Sequence, residues 1–185
     1  MLKIFFMTTA LLLSIPSSPK MVKTKIGESI TVMLPDNLYA MSADDISRRY
    51  PSVRRPIGAF TNDSRLADFS VNISATQWKV EDVDMAKSFF KSSLYNLFDR
   101  VNLIKEEIKE IDEKKFIVYE FDSRLNGDPS SLEAKNPILR YNYLQYLIIN
   151  GKTLVFSFNC HPRLKEEWQP FVEEMMSSVK VKNNI

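Results

Sequence analysis

Apolar and polar residues change their spacing at well-marked points along this chain, and each change predicts an element. Over residues 67–75, Phe69, Val71, Ile73 and Ala75 alternate with Asp68, Ser70, Asn72 and Ser74. A period of two predicts a strand with one face buried and the other wet. Ile57–Thr61 reads as the strand before it, joined through Asn62-Asp63-Ser64. Beyond Asp82, a candidate N-cap, Val83, Ala86, Phe89, Phe90, Leu94, Leu97 and Phe98 recur at helical spacing. That stripe predicts an amphipathic helix lying on a sheet.

The remaining segments follow the same logic. Met21–Ile26 and Ser29–Leu34 flank Gly27-Glu28 and predict a hairpin. Ser42-Ala43-Asp44-Asp45 predicts a helix start with acids in its first turn. That helix is short, because Pro51 pushes Tyr50 out of the α region. Residues 101–125 read as two strands around Asp112-Glu113-Lys114-Lys115, with the apolar Phe116–Phe121 central. The Lys and Glu of 101–111 leave a helix open there as the alternative. Asn126-Gly127-Asp128-Pro129 opens a polar loop that runs to Pro137. Asn150-Gly151 between Ile138–Ile149 and Lys152–Cys160 predicts a tight hairpin, because its turn needs φ > 0 at both positions. Leu164, Trp168, Phe171, Val172, Met175, Met176 and Val179 share a face of a closing helix. Its regular part is expected to begin near Pro170, with a looser turn before it and a last short strand at 179–182. The reading is a single α+β domain over 21–182. It has an antiparallel sheet of about six to eight strands, flanked by two long amphipathic helices and one short helix.

The first residues follow a different pattern. Lys3 precedes an apolar run of about a dozen residues that ends at Pro16-Ser17-Ser18. This predicts a signal peptide over 1–18 and a periplasmic or secreted protein. An uncleaved anchor is the alternative, since no clean A-x-A-like site follows the run. Without those residues the formal charge falls from +2 by one, so neither nucleic acid nor an anionic membrane is implied by net charge. Cys160 is the one cysteine, so no disulfide forms within the chain.

Candidate chemistry is sparse. Cys160 and His161 are adjacent on a strand and so point to opposite faces, which argues against a thiolate–imidazole dyad. Cys160 falls in the row of Leu154, Phe156 and Phe158 and reads as a buried small hydrophobe. His161, before Pro162, reads as a surface or capping residue. No G-x-S-x-G elbow, Walker motif or G-x-G-x-x-G loop occurs, and one His with one Cys does not make a zinc site. No catalytic residue, cofactor or metal is assigned, and the expectation is a protein that is not an enzyme. One local cluster stands out. Arg48, Arg49, Arg54 and Arg55 surround Tyr50, Pro51 and Pro56, and Arg65 follows in the next loop. Guanidinium groups on a Pro-stiffened segment suit an anionic partner. The competing reading is a solvated loop whose arginines pair with the chain's own acids.

Leu34-Pro35-Asp36, then Asp45-Ile46-Ser47-Arg48-Arg49-Tyr50-Pro51, form one set of family-like residues. Tyr141–Tyr146 with Phe156-Ser157-Phe158, and Trp168, Phe171 and Ser177-Ser178-Val179-Lys180-Val181, form another. Through these the chain resembles the PsbP-like superfamily, whose fold is shared by a yeast Ran-binding nuclear transport factor and periplasmic DcrB-type proteins. The resemblance implies an antiparallel sheet flanked by helices and protein binding rather than catalysis. It transfers no functional residue. The expected function is an exported binding or accessory protein of the bacterial envelope with a protein partner. The alternative is a carrier of an apolar small ligand between helices and sheet.

Overall fold

The fold is that of a computed structural model, described over residues 19–51, 54–127 and 136–185. The expected leader at 1–18 and most of the polar loop before Pro137 lie outside the described residues. The chain forms β1 (Met21–Ile26), β2 (Ile30–Pro35), β3 (Tyr39–Ala40), α1 (Ala43–Arg49), β4 (Gly58–Thr61) and β5 (Ala67–Ile73). Then come α2 (Val83–Leu97), β6 (Arg100–Ile111), β7 (Lys114–Leu125), β8 (Ile138–Ile149), β9 (Lys152–Cys160), α3 (Lys165–Ser177) and β10 (Lys180–Val181).

Seven strands form one antiparallel sheet in the order β3-β4-β5-β9-β8-β7-β6. A second, three-stranded sheet has the order β1-β2-β10. The opening hairpin therefore lies outside the main sheet. Its β2 pairs with β10 through Thr31 and Ile30, opposite Lys180 and Val181. The Asn150-Gly151 turn joins β8 to β9 with φ of 51° and 69°, as the hairpin reading requires. Residues 101–111 are strand, not helix, and β6 is one edge of the main sheet. Pairing with β7 and the burial of Ile111 override the helical propensity of its Lys and Glu residues. Ile104 is skipped in that pairing, which makes a bulge.

Side chains alternate between the two faces of the main sheet, and each face has its own core. On one face Phe116, Val118, Tyr141, Tyr143, Phe156 and Phe158 pack with Trp168, Val172, Met175 and Met176 of α3 and with Ile30, Val32 and Leu34 of β2. On the other face Ile117, Tyr119, Phe121, Tyr146 and Ile148 pack with Ala86, Phe90 and Leu94 of α2. The long helices thus cover opposite faces of the main sheet, and the architecture is three-layered. An apolar stripe shows that a helix face must be buried, but it does not select which face of the sheet will bury it.

Three local expectations are corrected. Asp82 occupies the N-cap position of α2, as expected, but makes no side-chain cap bond, and Phe89 and Leu97 of the α2 stripe are exposed. The helix presents only its inner turn positions to the sheet. On β5 the expected wet residues Asp68 and Ser70 are buried, and the expected buried Ile73 and Ala75 are exposed. The segment from α1 to Tyr50 covers that polar face near Asp68, and the far end of the strand runs past its cover. Helix α3 starts at Lys165, not near Pro170, so Pro170 sits within it. A 3-10 turn over Pro162–Leu164 takes the place of the looser start. Burial of Trp168, at 2% exposure, secures the turn that the proline weakens.

Candidate recognition surface

Helix α1 begins where Ser42 Oγ accepts the Asp45 amide at 3.1 Å. It ends at Tyr50, whose backbone (φ −124°, ψ 68°) has left the helical region before Pro51. This short element buries none of its residues fully, so something other than apolar packing must hold it. Arg49 supplies that hold. Its Nη1 and Nη2 donate to the two Asp68 carboxylate oxygens at 2.9 and 2.7 Å, a bidentate pair on β5. The same guanidinium donates to Thr61 Oγ1 and to the Arg65 carbonyl, both at 3.1 Å. Arg65 is in the left-handed region (φ 57°), which closes the β4–β5 turn, with its amide on the Asn62 carbonyl.

The carboxyl of Asp68 is nonetheless raised above its usual range. Burial is the dominant cause, and it outweighs a hydrogen bond from Thr61 and the charges of Arg49 and Arg140. Tyr50 is half-buried beside it. Burial raises its phenol too, against a hydrogen bond with Ser70.

The arginine cluster read from the sequence therefore divides. Arg49 and Tyr50 lie inward on the sheet. Arg48, Arg54, Arg55 and Arg65 are exposed. Arg48 pairs with Asp44 at 2.5 Å and Arg65 with Asp45 at 3.1 Å. Pairs this exposed are worth roughly 0–1 kcal/mol, so a partner's carboxylates can take their place at little cost.

Cys160 and His161 do not form a dyad. Cys160 is fully buried in the core row with Leu154, Phe156 and Phe158, and burial pushes its thiol up to about 12. His161 Nδ1 accepts the Arg163 amide at 3.3 Å and caps the 3-10 turn. Among the described residues no group of three or more His, Cys, Asp or Glu is arranged to hold a metal.

Between α2 and the sheet, Phe90 stacks on Tyr146 at 4.1 Å and Tyr119 meets Tyr146 edge-on at 6.2 Å, so the rings fill that space themselves. A cleft of about 450 Å³ lies at the strand ends instead, with an apolar floor of Val83, Leu147, Ile148 and Ile149 and with Glu81, Glu113, Lys114 and Lys115 also in its lining. A second, basic cleft was not foreseen. It brings Arg100 together with Arg124, which sequence separation hides and only strand register reveals.

No helix among the described residues is long and apolar enough to cross a membrane. No family model matches the sequence, and no curated protein does. Solved structures do match. The cyanobacterial PsbP protein (CyanoP) of Synechocystis is 14% identical with a TM-score of 0.60, over 94% of this chain and 98% of that one. The Ran-binding protein Mog1p of Saccharomyces cerevisiae is 12% identical with a TM-score of 0.54, over 89% and 96%. PA94 of Pseudomonas aeruginosa, a protein of unknown function and putative regulator, is 12% identical with a TM-score of 0.49, over 85% and 94%. The chain has the PsbP-like fold that CyanoP and Mog1p share.

Proposed function

We propose that this chain is an exported, non-enzymatic accessory protein of the bacterial envelope that binds an acidic protein surface through the α1 end of its main sheet. The observation that carries this reading is the Arg49–Asp68 brace. It fixes α1 and the β4–β5 turn together, so Arg48 and Arg65 stand on a rigid frame, with Arg55 exposed nearby. Preorganised guanidinium groups lose less conformational freedom on binding than groups on a loose loop. A protein of this fold, Mog1p, is described as Ran-binding, which supports protein recognition as a use of the fold.

The test is affinity capture from a periplasmic extract with the parent chain and with Arg48→Glu/Arg55→Glu. The captured protein is lost from the variant while its circular dichroism and melting temperature match the parent. Equal capture by both chains removes the α1 end from the reading. Cell fractionation checks the export expectation, with the mature chain expected outside the cytoplasm.

A further inference from the structure

Far along the sheet from α1, on the α3 face, Arg100 of β6 stands directly opposite Arg124 of β7. Leu139 of β8 continues that row, and Asn102, Asp122 and Tyr141 form the next one. Pro162 and Lys165, just before and at the start of α3, wall the cleft, which encloses about 280 Å³. Directly opposed like charges destabilise a strand pair, so this arrangement has a cost that nothing in the fold requires.

The local acids do not offset it. Asp122 is held by the Lys165 ammonium at 2.9 and 2.7 Å. Asp99 accepts the Asn126 amide at 2.6 Å. Among the described residues, neither Arg100 nor Arg124 forms an ion pair with a carboxylate. Their orientation is nevertheless defined. Arg100 Nε donates to Asn102 Oδ1 at 3.2 Å, and Arg124 Nε donates to Asn126 Oδ1 at 2.8 Å. Each bond uses the Nε edge, and among the described residues the terminal nitrogens of the two arginines make no side-chain hydrogen bond.

We propose that this cleft binds a phosphate-type oxyanion between the Arg100 and Arg124 guanidiniums, with Lys165 at its wall. Two oriented forks match a tetrahedral, multiply charged oxyanion better than a single carboxylate, while the Lys165 ammonium is already shared with Asp122. Exposed Leu139, opposite Arg124, shares the arginines' face at the end of β8. It would rest on an acyl chain if the phosphate belongs to a lipid headgroup, and would be unused if it belongs to a small soluble compound.

The experiment is an amide NMR titration of the intact chain with inorganic phosphate, against chloride at matched ionic strength. A parallel arm is co-sedimentation with phosphatidylcholine vesicles that contain phosphatidylglycerol. The variant is Arg100→Gln/Arg124→Gln, which removes the opposed charges and is expected to fold with an unchanged or higher melting temperature. Saturable shifts at Arg100, Arg124 and Lys165 with phosphate, weakened at least about tenfold in the variant, support a soluble ligand. Vesicle retention that the variant loses, without a response to free phosphate, supports a headgroup. No response to either probe, or responses equal in parent and variant, overturns the site.

Discussion

Removing Asp68 while leaving Arg49 in place should be among the most damaging single changes on this surface. At 2.7 Å and an effective dielectric constant of about 20, the pair's Coulomb attraction is roughly 6 kcal/mol before solvation is counted. Solvation cancels most of it. The side chains are only 25% and 10% exposed, and the upward shift of the Asp68 carboxyl shows that burial outweighs the Arg49 charge. The pair as a whole therefore adds little stability, but half of it alone is a buried charge without its counter-ion. Asp68→Ala is expected to cost about 3 kcal/mol, the low end for a broken buried pair, because Arg49 keeps some solvent contact. For a chain of this size that is a fall of about 6–12 °C in Tm. Arg49→Met/Asp68→Leu should return to within about 1 kcal/mol of the parent, giving a strongly non-additive cycle. Urea unfolding followed by circular dichroism measures all four chains. A loss below about 0.5 kcal/mol for Asp68→Ala, or a double variant equal to the sum of the singles, would refute the argument.

Cys160 should resist a thiol reagent at neutral pH until the chain is unfolded, because it is both buried and held as the thiol. Cys160→Ser should cost about 1–3 kcal/mol in urea unfolding, since its hydroxyl would lie among apolar rings. Pro170 is exposed inside α3, so Pro170→Ala should raise stability by about 1–2 kcal/mol after the unfolded chain's extra freedom is subtracted; a lower Tm would show that the proline has a packing role. Acid sensitivity should arise at the charged flanks of β6. Glu106 is lowered chiefly by a hydrogen bond from Lys91. Glu173 is lowered because bonds from Lys109 and Lys105 outweigh its burial. A depressed carboxyl contributes stability above its unfolded value of 4.5, and that contribution is lost as pH falls through the folded value. Asp68, shifted the other way, favours the folded state at low pH and loses that contribution as pH rises through its folded value. Glu106→Gln/Glu173→Gln should therefore flatten the stability–pH slope below that value, and an unchanged slope would count against these two groups.

Local chemistry was legible in the sequence wherever neighbours along the chain decide the outcome. The φ > 0 demand at Asn150-Gly151, the Ser42 cap and the Cys160 row each follow from a few adjacent residues. Long-range choices were not legible. A strand that alternates apolar and polar reads as half wet, yet Asp68 and Ser70 are buried because Arg49 and Tyr50 arrive from another element. The same limit applies to the candidate surface. Seen in the sequence, six neighbouring residues formed one cluster. In the fold Arg49 and Tyr50 face inward, while Arg48, Arg54, Arg55 and Arg65 face out. Arg100 and Arg124 were missed altogether, since only a hairpin register brings them together.

Strand β6 carries a larger hazard than the two-residue β3 at the opposite edge of the sheet. Among the described residues no strand pairs with the outer side of this twelve-residue segment, so its amide and carbonyl groups are a place where another polypeptide could add itself. The kink at Ile104 and the ion pairs from Lys87 and Lys91 to Glu106, and from Lys105 and Lys109 to Glu173, are what obstruct such growth. Their value is best seen as protection against fibre formation in a crowded compartment, a property that no measurement of folding equilibrium would report.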